Sequence, residues 1–216
     1  QLHRSGQVEL VGDEVEARDD AGPHRRQSPG QSSGGPRPSQ RIHIHPVLLE
    51  VHLGEPNESP AQQLDLFIPW LMKETGARKF YLPSADYVWP HVMNRRVRQL
   101  VTAHGGAIVG EEYFPLDHVD YRDTVEKIAR SGADAVFNTI VPPGVTPFFE
   151  QLHASGFQER GGQLICTYFD ENFLNMVPAA HVEGLYGCLD YYQGVAEPFS
   201  KKLLAQYDAL YPGQAQ

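Results

Sequence analysis

The sequence predicts an α/β protein built on a doubly wound parallel sheet, and three observations carry that prediction. Between Lys79 and Tyr192, short apolar runs alternate with amphipathic stretches. Runs such as Ala135 to Ile140 are almost continuously apolar, as a strand buried on both faces must be. Polar and aromatic residues gather directly after the runs, so that Lys79 to Pro83 leads into Ser84-Ala85-Asp86-Tyr87-Val88-Trp89-Pro90. Strands alternating with helices form right-handed βαβ units. Open sheets of this kind bind ligands beyond the carboxyl ends of their strands.

The elements follow in order. Residues 1–46 read as a disordered or mis-called segment. Arg18 to Gln40 is crowded with Gly, Pro, Ser and Gln and has no apolar periodicity, so it cannot bury enough surface to offset its ordering entropy. A mistranslated or mis-started 5′ region would have this character. Val47 to Leu53 is a predicted strand, and Gly54 to Pro60 is turn chemistry. Ser59 offers an N-cap with Pro60 at the first helical position. Leu64, Phe67, Ile68 and Leu71 then recur at helical spacing to about Glu74, and Gly76 stops the helix. Pro69 inside it should kink it or shift its hydrogen bonding.

Phe80 to Leu82 is the next strand. The helix from Trp89 to Ala103 is expected to bury Val92, Val97, Leu100 and Val101, ending at His104-Gly105-Gly106. Ala107 to Tyr113 is a strand, and Asp120 is expected to cap a helix carrying Val125 and Ile128 that closes at Gly132. Ala135 to Ile140 is a strand, Thr146 to Ala154 a helix ending at Gly156, and Gln163 to Tyr168 a strand. Asp170 to Val177 is a predicted helix and Leu185 to Tyr191 the last strand. Phe199 to Leu210 is the last helix, with Leu203, Leu204, Tyr207 and Leu210 on one face.

Composition narrows the function classes. A formal net charge of −9 disfavours nucleic acid and anionic membrane surfaces, which want a basic face. No apolar run approaches the roughly 20 residues that span a bilayer, so no direct membrane insertion is expected. The chain opens on Gln1 without a charged-then-apolar leader, and it reads as a fragment. The two cysteines, Cys166 and Cys188, fit no zinc or redox spacing and read as buried thiols. His43 and His45 alternate as on a strand face, but no third ligand accompanies them, so no metal site is assigned.

The turn after the first regular strand, Pro83-Ser84-Ala85-Asp86, lacks the glycines that let a backbone approach a pyrophosphate, and no nucleotide or other cofactor is expected. Ser84 lacks a Gly-x-Ser-x-Gly elbow. His104 sits at a helix C-terminus, where a cation is favoured, and His118 in a polar loop. Glu111 and Glu112 point to opposite faces of a strand and do not form an acid–base pair. No catalytic residue is assigned and the chain is not read as an enzyme. The coherent set lies at the strand ends: Tyr87 and Trp89 after the first strand, Thr139 ending the third, Tyr168 and Asp170 after the fourth. Rings that exclude water, with a few hydroxyls and a carboxylate to fix orientation, suit a small neutral polar ligand. The same aromatics could equally fill a core or an interdomain seam.

Gly76 to Leu82, Asp86-Tyr87-Val88-Trp89-Pro90, Gly105 to Leu116, Asp134 to Thr139 and Glu183 to Tyr186 together resemble the amide- and urea-binding branch of the type 1 periplasmic binding proteins, over roughly Val51 to Pro212. That branch comprises the substrate-binding subunits of urea and short-chain amide ABC transporters and the aliphatic amidase expression-regulating protein. The resemblance implies two α/β lobes that close on a ligand, with this chain supplying mainly the second. Residues 47–75 would be the hinge, near Gly54 to Asn57, and the first helix, and 76–216 an incomplete Rossmann-like lobe. The first lobe and the last crossover would lie elsewhere, the latter beyond Gln216.

The resemblance also implies ligand contact from Tyr87, with Trp89 beside it, and from the loop bearing Tyr168 and Asp170. The branch usually has Gly-Ser where Ser84-Ala85 stands here, so a hydroxyl contact at the second position is lost. The implied function is binding of a small amide or urea-like solute as an ABC transporter substrate-binding protein. Its partner would be an ABC permease, and its place the periplasm. The alternative is a cytoplasmic amide sensor with a regulatory protein partner that controls an amidase operon; an amide hydrolase ranks third.

Overall fold

A computed structural model describes residues 43–44, 59–174, 176–189, 192 and 198–212. Of the segment 1–46 expected to be disordered or mis-called, His43–Ile44 form a strand paired with Tyr186–Gly187, a departure from that expectation, and the rest lies outside the described residues, as do the predicted strand at 47–53 and the predicted hinge at 54–57. The elements are β1 (His43–Ile44), α1 (Pro60–Thr75), β2 (Lys79–Ala85), α2 (Val88–Ala103), β3 (Ala107–Phe114), α3 (Arg122–Ser131) and β4 (Ala135–Phe137). They continue with α4 (Val145–Ala154), β5 (Gln163–Cys166), α5 (Glu171–Leu174), a 3₁₀ turn at Ala179–His181, β6 (Tyr186–Gly187) and α6 (Pro198–Leu210).

The strands form one six-stranded sheet in the order β1-β6-β5-β4-β2-β3. Every pairing is parallel. β2 precedes both of its neighbours in the chain, and the order of strands reverses between β2 and β4. That reversal opens a crevice at their carboxyl ends, because the connections leaving β2 and β4 run to opposite sides.

α1 begins where the sequence places it. The Ser59 hydroxyl accepts from the Gln62 amide at 3.3 Å, and Gln62 Oε1 accepts from the Ser59 amide at 2.7 Å, a reciprocal cap that satisfies two otherwise orphaned donors. Pro69 lies within the helix without ending it, and Gly76 closes it at φ +75°, a left-handed conformation that favours glycine.

The sheet is covered on both faces. On one, Leu64, Phe67, Ile68, Leu71, Met93, Val97 and Val101 of α1 and α2 pack on Phe80, Leu82, Phe137 and Ile165. On the other, Val125, Ile128, Phe148, Phe149 and Leu152 of α3 and α4 pack on Tyr81, Val136, Leu164 and Cys166. Alternation along β2 and β4 thus feeds two cores from single strands, which is why these segments read as continuous apolar runs. Cys166 and Cys188 are free, buried thiols and belong to opposite cores.

Several boundaries differ from the sequence expectation. Val92 is 40% exposed, and α2 buries Met93 and Asn94 in its place. The buried stripe runs one position further round the helix because Asn94 finds polar partners beneath it. Asp120 lies one residue before the N-cap of α3, Tyr121; its Oδ1 accepts from the first helical amide, Arg122 N–H, at 3.3 Å and its carboxylate pairs with the Arg122 guanidinium. β4 ends at Phe137, where the pairing on its β2 side narrows to a single bridge from Ser84 to Thr139. The helix expected over 170–177 is only Glu171–Leu174, and β6 is only Tyr186–Gly187. The apolar side of α6 is not buried: Leu203 is 41% and Leu210 71% exposed, and none of its described residues joins either core.

Candidate functional site

The carboxyl end of β2 is pinned from both sides. Ala85 N–H donates to Thr139 O at 3.3 Å, and Thr139 N–H donates to Pro83 O at 3.1 Å. Asp86 N–H donates to Phe114 O, at the end of β3, at 2.7 Å. A chain held this way delivers the next residues at a fixed place above the switch between β2 and β4. Tyr87 is extended there (φ −152°, ψ 176°) and forms the N-cap of α2, although its side chain makes no capping hydrogen bond.

Three of the sequence-predicted residues meet in a row. The rings of Tyr87 and Trp89 stack with centroids 6.5 Å apart and planes 21° from parallel. Trp89 then meets Tyr168 edge-on at 6.2 Å and 80°. Both are geometries that aromatic quadrupoles favour. Tyr87 is 37% exposed, while Trp89 and Tyr168 are half-buried. Burial raises the Tyr87 phenol above its ordinary pKa and holds Tyr168 well above it, so both remain protonated at neutral pH.

The polar ends of this set are less free than their sequence positions suggest. The Tyr168 hydroxyl donates to Ile140 O and accepts from Asn138 Nδ2 at 3.4 Å, so Tyr168 presents its ring more than its hydroxyl. Asp170 turns toward α5. Its carboxylate accepts from Asn172 N–H at 3.0 Å, Asn172 Nδ2 at 3.1 Å and Phe173 N–H at 3.1 Å. Thr139 is fully buried as the bridge partner of Ser84.

A second set at the same edge joins Ser84 and Glu111, weighed in the sequence only as catalytic candidates, to Asp86, His91, Asn94 and Tyr113, which the sequence did not mark as site residues. Asp86 Oδ1 pairs with His91 Nε2 at 2.8 Å, and the His91 ring stacks on Tyr113 at 3.9 Å. The Tyr113 hydroxyl donates to Glu111 Oε1 at 2.6 Å and accepts from Asn94 Nδ2 at 3.1 Å. Asn94 Nδ2 also donates to Ser84 Oγ at 2.8 Å. The loop that carries Tyr87 is therefore braced by α2 and β3 together. Residues spread over 84–113 meet only once the sheet has formed, and no spacing rule marks them.

Chemically the edge can hold and orient a ligand. Among the described residues, Ser84 Oγ bonds Asn94 Nδ2 and, at 3.4 Å, Leu82 O; neither is a base that could activate it. No group of three or more His, Cys, Asp or Glu side chains that could hold a metal occurs among the described residues. No described helix is long and apolar enough to cross a membrane.

Comparison with known proteins agrees with this architecture. The family described as periplasmic binding protein matches residues 52–216. An ABC transporter solute-binding protein from R. palustris, solved in complex with 4-hydroxybenzoate, is 22% identical with a TM-score of 0.58, over 69% of this chain and 40% of that one. A putative branched-chain amino acid ABC transporter protein from Rhodospirillum rubrum is 18% identical with a TM-score of 0.60, over 69% of this chain and 42% of that one. An ABC transporter substrate-binding protein from Sphaerobacter thermophilus is 25% identical with a TM-score of 0.59, over 67% of this chain and 40% of that one. The chain thus spans about 40% of the length of these relatives. With a parallel sheet whose strand order reverses beneath an aromatic edge, and with a family match over most of its length, the chain belongs to the periplasmic binding protein family.

Proposed function

We propose that this chain is the ligand-binding lobe of an ABC transporter solute-binding protein that takes a small neutral amide or urea-like solute and works by lobe closure without chemistry. The observation that carries the reading is the row Tyr87, Trp89, Tyr168 above the β2–β4 crevice of a family member. The charge at the strand ends supports a neutral ligand. The segments 84–90, 138–144 and 167–170 contain no Lys or Arg to pair with a carboxylate. Solved relatives are named for benzoates and for branched-chain amino acids, both of which carry one.

In this reading Tyr87 and Trp89 are the platform, Tyr168 is its back wall, Thr139 belongs to the floor, and Asp170 orders the loop behind it. Residues 47–75 comprise the hinge and α1 and residues 76–216 the lobe, to whose sheet His43–Ile44 add an edge strand. α1 packs on the sheet, so it travels with the lobe when the hinge moves. A ligand touching two lobes stabilises the closed form by its differential affinity, and a permease senses closure. A single lobe offers only part of those contacts, so the isolated chain should bind weakly.

A thermal-shift titration with urea, formamide, acetamide and butyramide, set against benzoate and leucine, tests the reading. A saturable shift with an amide or urea, lost in Tyr87→Ala, supports it. A shift with benzoate or leucine alone would replace the ligand class, and micromolar or tighter binding by this chain would contradict the need for a second lobe.

A further inference from the structure

α4 and the 3₁₀ turn at Ala179–His181 meet through two imidazoles. The rings of His153 and His181 lie with centroids 4.9 Å apart and planes tilted by 33°, and both residues are half-buried. The turn is anchored around this contact. Val177 and Val182, on either side of it, are buried in the core that Phe149 and Leu152 of α4 also enter. Gln158, just beyond α4, donates from Nε2 to His181 O at 2.9 Å. Within the turn, His181 N–H donates to Pro178 O at 2.9 Å and Val182 N–H to Ala179 O at 3.2 Å. The connection from β5 to β6, which carries Tyr168 and Asp170 at its start, is held to α4 at this point.

Such a contact suits neutral rings and not charged ones. Two imidazolium groups at this separation repel, so each ring disfavours protonation of the other. An imidazolium also donates from both ring nitrogens, whereas His181 Nδ1 is buried with no hydrogen-bond partner among the described residues. The titratable groups facing His181 are His153 and Glu150, both from α4. From the loop after α4, Gln158 is neutral, Arg160 turns back to Ser155 O at 2.6 Å, and Glu159 lies beside Gly156. Glu183, beyond the turn, is exposed. Burial first and His153 second bring the His181 pKa below its ordinary 6.5, and Glu150 offsets only part of that. A histidine whose pKa falls on folding adds stability above its unfolded pKa and loses it as pH drops through the folded one.

We propose that His153 and His181 form a pH-sensitive clamp, which fixes the β5–β6 connection to α4 while both rings are neutral and releases it when they take up protons. Release frees the 3₁₀ turn first, because its hydrogen bonds are local and its contact with α4 runs through the two rings and Gln158. The clamp acts whichever solute the lobe takes.

The test is an NMR titration of the histidine rings between about pH 5 and 8, the window in which histidine changes charge, on the parent chain and on His153→Gln. Amide hydrogen exchange, corrected for its intrinsic pH dependence, is followed over the same window. Glutamine takes up no proton, so the His181 ring should titrate at higher pH in the variant than in the parent. Protection of the Val182 and Leu185 amides should be lost in the parent as the rings charge, and the loss should be smaller in the variant. A His181 ring that titrates at the same pH with and without His153 would overturn the proposal, as would protection that stays constant across the window in the parent. Should the variant not fold, the parent decides: two rings that titrate in coupled steps support the clamp, and two independent single-step titrations sink it.

Discussion

The Tyr81 hydroxyl donates to Glu112 Oε2 at 2.6 Å and so ties β2 to β3 on the face that α3 covers. The ring reaches across the neighbouring strand because Gly110 has no side chain. A Cβ built there would lie 2.1 Å from Tyr81 Cε2. The same contact sits beside a register shift between Phe80 and Tyr81. Gly110→Ala should therefore destabilise the lobe by about 1–3 kcal/mol, the usual range for overpacking. Urea denaturation reads this directly. In a Tyr81→Leu background the alanine should cost much less, and an equal cost there would mean that the ring is not the obstacle.

Glu112 also makes stability depend on pH. Burial alone would raise its pKa, but hydrogen bonds from Lys127 and Tyr81 outweigh that and bring it below the ordinary 4.5. A carboxylate depressed on folding adds stability above its unfolded pKa and loses it as pH falls through the folded one. The melting temperature should therefore fall as pH drops below 4.5. Glu112→Gln should flatten that fall, and an unchanged slope in the variant would assign the acid sensitivity to another group.

Tyr87→Ala should separate binding from folding. The ring is 37% exposed and its described contact is the stack on Trp89, so its removal should cost no more than about 1 kcal/mol in stability. Any ligand-induced shift in Tm should vanish in the same variant. A variant that still responds to ligand would place the binding surface away from Tyr87.

Asp134 holds the starts of two strands in register. Its Oδ1 accepts from Arg78 N–H at 3.0 Å and from Lys79 N–H at 2.7 Å, which fixes the beginning of β2 beside the residue that precedes β4. Asp134→Ala should cost about 1 kcal/mol and speed hydrogen exchange at the Arg78 and Lys79 amides. Asp134→Asn keeps one carbonyl acceptor and should fall between the two. Exchange at those amides unchanged in the alanine variant would show that the backbone there does not depend on the carboxylate.

The sequence disclosed the α/β alternation because β2, β4 and β5 are buried on both faces and α1 carries a regular apolar stripe between Ser59 and Gly76. It misled at α2, where hydrophobicity favours Val92 and the structure buries Asn94. A buried amide is stable only through its partners, and Ser84 and Tyr113 become its neighbours through the fold. Asp170 was legible as a strand-end carboxylate, but its commitment to Asn172 and Phe173 depends on how short α5 is. Leu203, Tyr207 and Leu210 make a convincing stripe, yet periodicity records only which residues share a side of a helix. It does not record whether anything covers that side.

β3 stands last in the described sheet, and its outer backbone edge could template growth by any strand that reached it. Glu111 and Glu112, in succession, place one carboxylate on each of its faces, tethered by Arg98 on one side and Lys127 on the other. An incoming strand would have to accommodate two fixed charge pairs, one on each face. Charged side chains on an edge strand disfavour pairing with another chain, so this eight-residue margin carries a colloidal safeguard that owes nothing to ligand or hinge.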